Sequence, residues 1–222
     1  MNKPAPHTLL MEMSYFPPVQ VYSKFFYFQN VIFESCENYQ KGGFRNRCHI
    51  CGPNGLQVLS IPLRKGKNEQ LPVRDVRIAY DENWQKQHWN SIVTAYKRAP
   101  YFDFYADYFE SFFTSRMEFL FDWNLKIFET LSELVGFPAN IHFSEKYEKQ
   151  PAAACVLDFR NIISPQKRTE RDDDYFIPVS YPQVFEYKHG FLSHLSVLDL
   201  LFCTGPEAVI YLKKMVPNFE IG

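Results

Sequence analysis

The 222-residue chain carries 24 Lys and Arg against 25 Asp and Glu, a formal net charge of −1. The bulk positive charge that drives nonspecific nucleic-acid binding is therefore absent, and any anion site has to be local. Hydrophobic residues at 46% suffice for a substantial core, and no shift of composition marks a second domain. The five Cys are an odd number, and no basic leader precedes an apolar run, so the expected location is the cytoplasm. No apolar run approaches the roughly 18 residues a membrane span needs.

In chain order, residues 1–8 hold two Pro and no pattern and are expected to be loose, ahead of one domain over 9–222. LLMEMSYF reads as a strand ending at Pro17-Pro18, VQVYSKFFYFQN as a helix and VIFES as a second strand, a β-α-β opening. RNRCHICG and LQVLSIPL flank Gly52-Pro53-Asn54-Gly55, a strong hairpin signal. RDVRIAY alternates charged and apolar residues and is expected to be the next strand of the same sheet. From Asn83 to Val135 the period is helical, cut into three helices at Pro100 and near Thr114-Ser115 and stopped at Gly136. NIHFSEKY and CVLDFR read as strands, and FLSHLSVLDLLFC and PEAVIYLKKM as closing helices. Residues 164–182 mix Pro with a charge run and read as a long loop, either a lid or a solvated connection. The fold class predicted is α/β: one domain with a mixed central sheet, the hairpin included, flanked by helices.

Three motifs carry chemistry. Cys48-His49-Ile50-Cys51 lacks a second Cys-x-x-Cys pair to complete a zinc site, and His189 and His194 lie far along the chain. A redox pair would open a helix, whereas this one runs along a strand. That strand puts Arg45, Arg47 and His49 on one face and Asn46, Cys48 and Ile50 on the other, with Lys41 just upstream. Two guanidiniums at alternate positions suit phosphate or carboxylate; the competing reading is an exposed face paired with nearby acids. On the helix from Asn83, Trp89, Ile92, Val93 and Tyr96 make the apolar face and Trp84, His88 and Ser91 an adjoining strip. His88 is expected at the rim of the core, where it is either a general acid or base or a packing residue. Phosphate-binding glycine fingerprints and the Gly-x-Ser-x-Gly elbow are missing, Asp172-Asp173-Asp174 reads as solvated, and no pattern names a cofactor.

On several of these residues the chain resembles the WbqC-like family of bacterial proteins, over about residues 9–212. The pieces are Tyr15-Phe16-Pro17-Pro18, Lys41 to Cys48 ending in Arg-Asn-Arg-Cys, LQVLSIPL, Trp84-x-x-x-His88, Tyr96, Ala99-Pro100-Tyr101-Phe102 and Leu195 to Leu201. Many relatives carry His-Gln-Pro before the aromatic-Pro motif, where this chain reads Leu10-Met11-Glu12-Met13. The family is associated with surface-polysaccharide gene clusters, O-antigen among them. The resemblance implies a transferase that acylates, for instance glycylates, an amino sugar, with a nucleotide-linked or lipid-linked acceptor and an acyl or aminoacyl donor. It points to Lys41, Arg45 and Arg47 as phosphate ligands, Asn46 as a further substrate-binding residue, Trp84 and Tyr15 as stacking platforms, and His88 as base. A non-catalytic module that binds a sugar nucleotide or a partner enzyme is the alternative.

Overall fold

The computed structural model describes residues 7–151, 155–165 and 173–217. The expected loose segment 1–8 and charged loop 164–182 lie partly outside them, as does Asp172. Two sheets and seven α-helices among the described residues enclose one hydrophobic core. Strand β1 (Thr8–Glu12) leads through helix α1 (Val19–Ser23), extended by a 3₁₀ turn to Phe26, into β2 (Asn30–Glu34), paired parallel to β1. Strands β5 (Asn140–Phe143) and β6 (Val156–Asp158) join at the two edges in the order β5-β2-β1-β6, all parallel. Alternation turns Leu9, Met11, Val31 and Phe33 into the core, each at most 2% exposed. Phe33 packs there against Phe25 and Phe128, with ring centroids 5.9 and 4.9 Å away.

The hairpin forms as expected, β3 (Arg47–Gly52) against β4 (Gly55–Ser60), but as a two-stranded sheet of its own instead of part of the parallel sheet. Gly55 takes φ 97°, which lets the chain reverse over Pro53-Asn54. RDVRIAY does not become a strand: a 3₁₀ turn runs over Val73–Asp75, and Arg77 and Ile78 make isolated bridges to Phe119 and Leu63. Pro62 and Pro72, which donate no backbone hydrogen bond, flank the segments that a longer ladder would need.

The three long helices sit where the periodicity predicts: α2 (Trp84–Tyr96), α3 (Phe102–Thr114) and α4 (Leu120–Val135), the last closed by Gly136 at φ 87°. Short α5 (Glu186–His189) latches the hairpin tip, with Lys188 Nζ donating to the Pro53 carbonyl at 2.6 Å. Helices α6 (Val197–Thr204) and α7 (Ala208–Lys214) close the chain. Asp173, expected in solvent, instead accepts from buried Lys24 at 2.5 Å and from Gln20 at 2.7 Å. No helix among the described residues is long and apolar enough to cross a membrane.

Candidate functional site

Strands β1, β2 and β6 each end in an acid after apolar residues: Leu10-Met11-Glu12, Ile32-Phe33-Glu34 and Val156-Leu157-Asp158. Because the strands are parallel, the three carboxylates gather at one edge, and the register sets Glu12 beside Glu34. They share the face opposite Leu9, Met11, Val31 and Phe33. The crevice outside the carboxyl ends of the strands is where open α/β sheets bind ligands.

Carboxylates this close repel, and two arginines hold them together. Arg160 donates from Nη1 to Glu34 Oε2 at 2.8 Å and from Nη2 to Asp158 Oδ2 at 2.7 Å, which raises its own pKa further. Arg45 grips Glu37 through two bonds, Nε to Oε1 at 2.7 Å and Nη2 to Oε2 at 2.8 Å. Its Nη1 stands 3.8 Å from Glu12 Oε1 and passes so close to Gly43 that a Cβ there would lie 3.1 Å away. Glu12 Oε2 accepts the Asn161 backbone N–H at 3.0 Å, with Asn161 at φ 59°, a conformation asparagine adopts more readily than most residues. Glu34 Oε1 accepts from Cys36 N at 2.8 Å and from Ser144 Oγ at 2.5 Å.

Above this network opens a polar cleft of about 480 Å³ lined by Cys36, Glu37, Tyr147, Lys149, Arg160 and Asn161. Burial, opposed by Arg45 and reinforced by Glu12, pushes the Glu37 carboxyl up to about 7, so it exchanges a proton near neutrality. The charged groups that line the cleft are Glu37 and Asp158 on one side of the balance and Arg160 and Lys149 on the other, and Glu37 is the one poised to exchange a proton. Gln40 and Asn161 also line a smaller basin of about 150 Å³ around Lys41, Gly42 and Gly43. Ile163 and Ser164 connect that basin in turn to an apolar pocket of about 290 Å³ holding His49 and His194. The three cavities thus adjoin one another through shared lining residues.

The residues singled out by sequence are dispersed. Lys41 lines the basin, its ammonium 3.0 Å from Glu69 Oε2 in an exposed pair. Arg45 precedes β3, and its guanidinium is buried and spent on Glu37, so it does not project beside Arg47 as expected. Arg47 and His49 do point outward from β3, while Cys48 packs inward at 0% exposure with its thiol pKa raised by burial. Asn46 ties the chain, donating to the Ile61 carbonyl and accepting from Tyr39 Oη. Trp84 and Tyr15 are core residues at 3% and 0% exposure, with the indole donating to the Ala79 carbonyl, so neither offers a face for stacking.

His88 lies inside the core, not at its rim. Contacts of Trp84 with Trp123 on α4, centroids 5.5 Å apart, rotate α2 so that Trp84, His88, Ile92, Ala95 and Tyr96 form the buried stripe. Tyr15 Oη sits 3.0 Å from His88 Nδ1, and burial lowers the imidazole pKa to about 4, a backbone hydrogen bond at Ser60 notwithstanding. None of the five principal cavities is lined by Arg45, Arg47, Trp84 or His88. The Arg45–Arg47 and Trp84–His88 motifs are not brought together in one concave site. Among the described residues no three His, Cys, Asp or Glu are grouped to hold a metal ion.

Sequence reasoning passed over Glu12, Glu34, Glu37, Asp158 and Arg160. The signal that could have found the strand acids is the repeat itself, three strands that each run apolar into a carboxylate.

Residues 13–164, more than half of the chain, match the WbqC-like protein family, and that span includes Glu34, Glu37, Arg45, Asp158 and Arg160. The uncharacterized protein Rv1507c of Mycobacterium tuberculosis is 28% identical over 199 residues, covering 79% of this chain and 84% of that protein. No solved structure gives a significant match.

Proposed function

The chain belongs to the WbqC-like protein family, and from that premise we propose that it is a cytoplasmic transferase that acylates the free amine of an amino sugar in surface-polysaccharide assembly. The acceptor is nucleotide-linked or lipid-linked, and the donor is an activated acyl or aminoacyl group. The observation that carries the reading is the buried Glu12–Arg45–Glu37 constellation, which leaves the Glu37 carboxyl at the wall of the cleft with a pKa raised to about 7.

Glu37 is the group in that cleft suited to take a proton from an ammonium. Arg45 engages one lone pair on each Glu37 oxygen, which leaves another to accept the proton. Glu37 releases that first proton to solvent; the freed amine forms the new N–C bond to the acyl carbon as the bond from that carbon to its leaving group breaks, and the second proton the nitrogen sheds on becoming an amide passes through Glu37 to the departing group. Base catalysis thus falls to Glu37 and not to His88, whose imidazole is enclosed and bonded to Tyr15. Lys41 at the basin is the basic side chain best placed to meet phosphate, whereas Arg47 points outward from β3 and lines none of the principal cavities.

The test compares sugar nucleotides bearing a free amine with their acetamido counterparts by thermal shift, on wild type and Glu37→Gln. A preference for the free amine that Glu37→Gln abolishes supports the reading. Equal shifts from both members of every pair would replace it with a non-catalytic binding module.

A further inference from the structure

The apolar pocket at the far end of this row of cavities has an unusual lining. No Asp, Glu, Lys or Arg contributes to it, and its polar side chains are Gln20, Ser164, Ser193 and two imidazoles, His49 from β3 and His194 from the segment before α6. Around them stand Pro18, Phe44, Leu56, Ile163, Phe191 and Leu192. Both rings are fixed by neighbours: Phe44 meets His49 edge-on at 5.2 Å and 71°, and Phe176 lies 6.0 Å from His194. Neither ring nitrogen pair bonds another side chain or backbone group among the described residues, although both rings face the cavity.

An occupant has to satisfy those nitrogens and still fill an uncharged, mainly hydrocarbon space. An alkyl or prenyl chain fills the space but strips the imidazoles of water without replacing its hydrogen bonds. A flat nitrogen heterocycle does both, since its faces are apolar and its edge carries donors and acceptors. We infer that the pocket between His49 and His194 seats the base of a nucleotide, which makes the acceptor's carrier a nucleoside diphosphate and not a lipid.

The row of cavities orders the rest of such a ligand. Next to the pocket comes the basin of Lys41, Gly42 and Gly43, where Gly42 at φ 88° turns the backbone and Lys41 supplies positive charge for a diphosphate, while Glu12, which also lines it, is held by the Asn161 N–H and stands 3.8 Å from Arg45. The Lys41–Glu69 pair is exposed on both sides, so Lys41 is readily redirected to phosphate. Beyond the basin lies the polar cleft with Glu37, for the amino sugar. Burial, then the Arg47 and His194 charges, lower the His49 pKa and keep that ring neutral, with one donor and one acceptor nitrogen. The link from base to amine rests on the acylation reading; the seating of the base does not.

Titration calorimetry with the five common nucleoside diphosphates, inorganic pyrophosphate and farnesyl diphosphate tests it. The expected result is one nucleoside diphosphate bound at least about tenfold more tightly than pyrophosphate, with His49→Phe and His194→Phe each removing most of that margin. Leu56 is 56% exposed, so Leu56→Trp occludes the mouth without disturbing the core, and it removes the margin even if an imidazole variant misfolds. Nucleoside diphosphates that bind no better than pyrophosphate, or farnesyl diphosphate that binds better than all of them, would overturn the inference. Loss of the amine-over-acetamide preference would instead sink the acylation reading and leave the base pocket standing.

Discussion

Arg45 lies flat against Glu37, its guanidinium and the carboxylate joined by two parallel hydrogen bonds of 2.7 and 2.8 Å, with both side chains buried. Removing one member of a buried pair strands the other charge. Arg45→Met should therefore cost about 3–5 kcal/mol in urea unfolding, with Glu12 and Glu37 left facing each other. The double variant Arg45→Met/Glu37→Met should lose less than the sum of the two single changes. Additive losses would mean that the pair is uncoupled.

The same burial gives stability a pH dependence with a definite sign. Glu37 sits at about 7 against an ordinary 4.5, and buried Asp199, bonded to Tyr181 and Gln183, at about 6 against 3.8. Each binds its proton more readily in the folded state. The stability each adds is complete below the ordinary value and is lost as pH rises through the folded one. His88 works in reverse, at about 4 against 6.5: its contribution is complete above 6.5 and is lost as pH falls through 4. Glu37→Gln should accordingly gain stability relative to wild type as pH rises from 4.5 to 7, measured by urea midpoints across that window. A constant difference would show that Glu37 titrates normally.

His88→Phe keeps a ring in the core but removes the partner of the Tyr15 hydroxyl. The expected loss is about 1–3 kcal/mol, the usual penalty for a buried hydroxyl left unpaired. Transfer per folded molecule should be unchanged. A rate that collapses in a fully folded His88→Phe protein would return the base role to His88.

Lys41→Ala tests the phosphate basin. It should weaken pyrophosphate binding by about tenfold and flatten its salt dependence, as loss of a partly exposed charge does. The variant should unfold within about 0.5 kcal/mol of wild type, as surface substitutions usually do. Unchanged affinity would leave the basin without a phosphate role.

Gly205 closes α6 at φ 55° with the Tyr101 ring packed where a side chain would begin; an added Cβ would stand 2.4 Å from ring carbon Cδ1. Gly205→Ala combines backbone strain with overpacking and should cost about 2–4 kcal/mol in thermal or urea unfolding. A variant as stable as wild type would show that Tyr101 moves aside freely.

Local chemistry wrote the elements into the sequence. Helical period, Pro100 and Gly136 bound the three long helices; Asn54-Gly55 turns the hairpin; short segments built round two or three apolar residues make the parallel strands. These are decided by neighbours within a few positions, so they are legible without a fold. The alternation of β3 likewise foretold that Cys48 faces in and Arg47 and His49 face out. Partnership across the chain was not legible. Arg45 looks like a free phosphate donor until the fold brings Glu37 and Glu12 against it, and His88 looks like a rim base until Trp123 turns α2. Glu12, Glu34 and Asp158 are 22 or more residues apart and become one site only because their strands lie parallel in register, with the carboxyl ends together. Ion pairing and burial are set by long-range packing, which the spacing of residues along the chain does not encode.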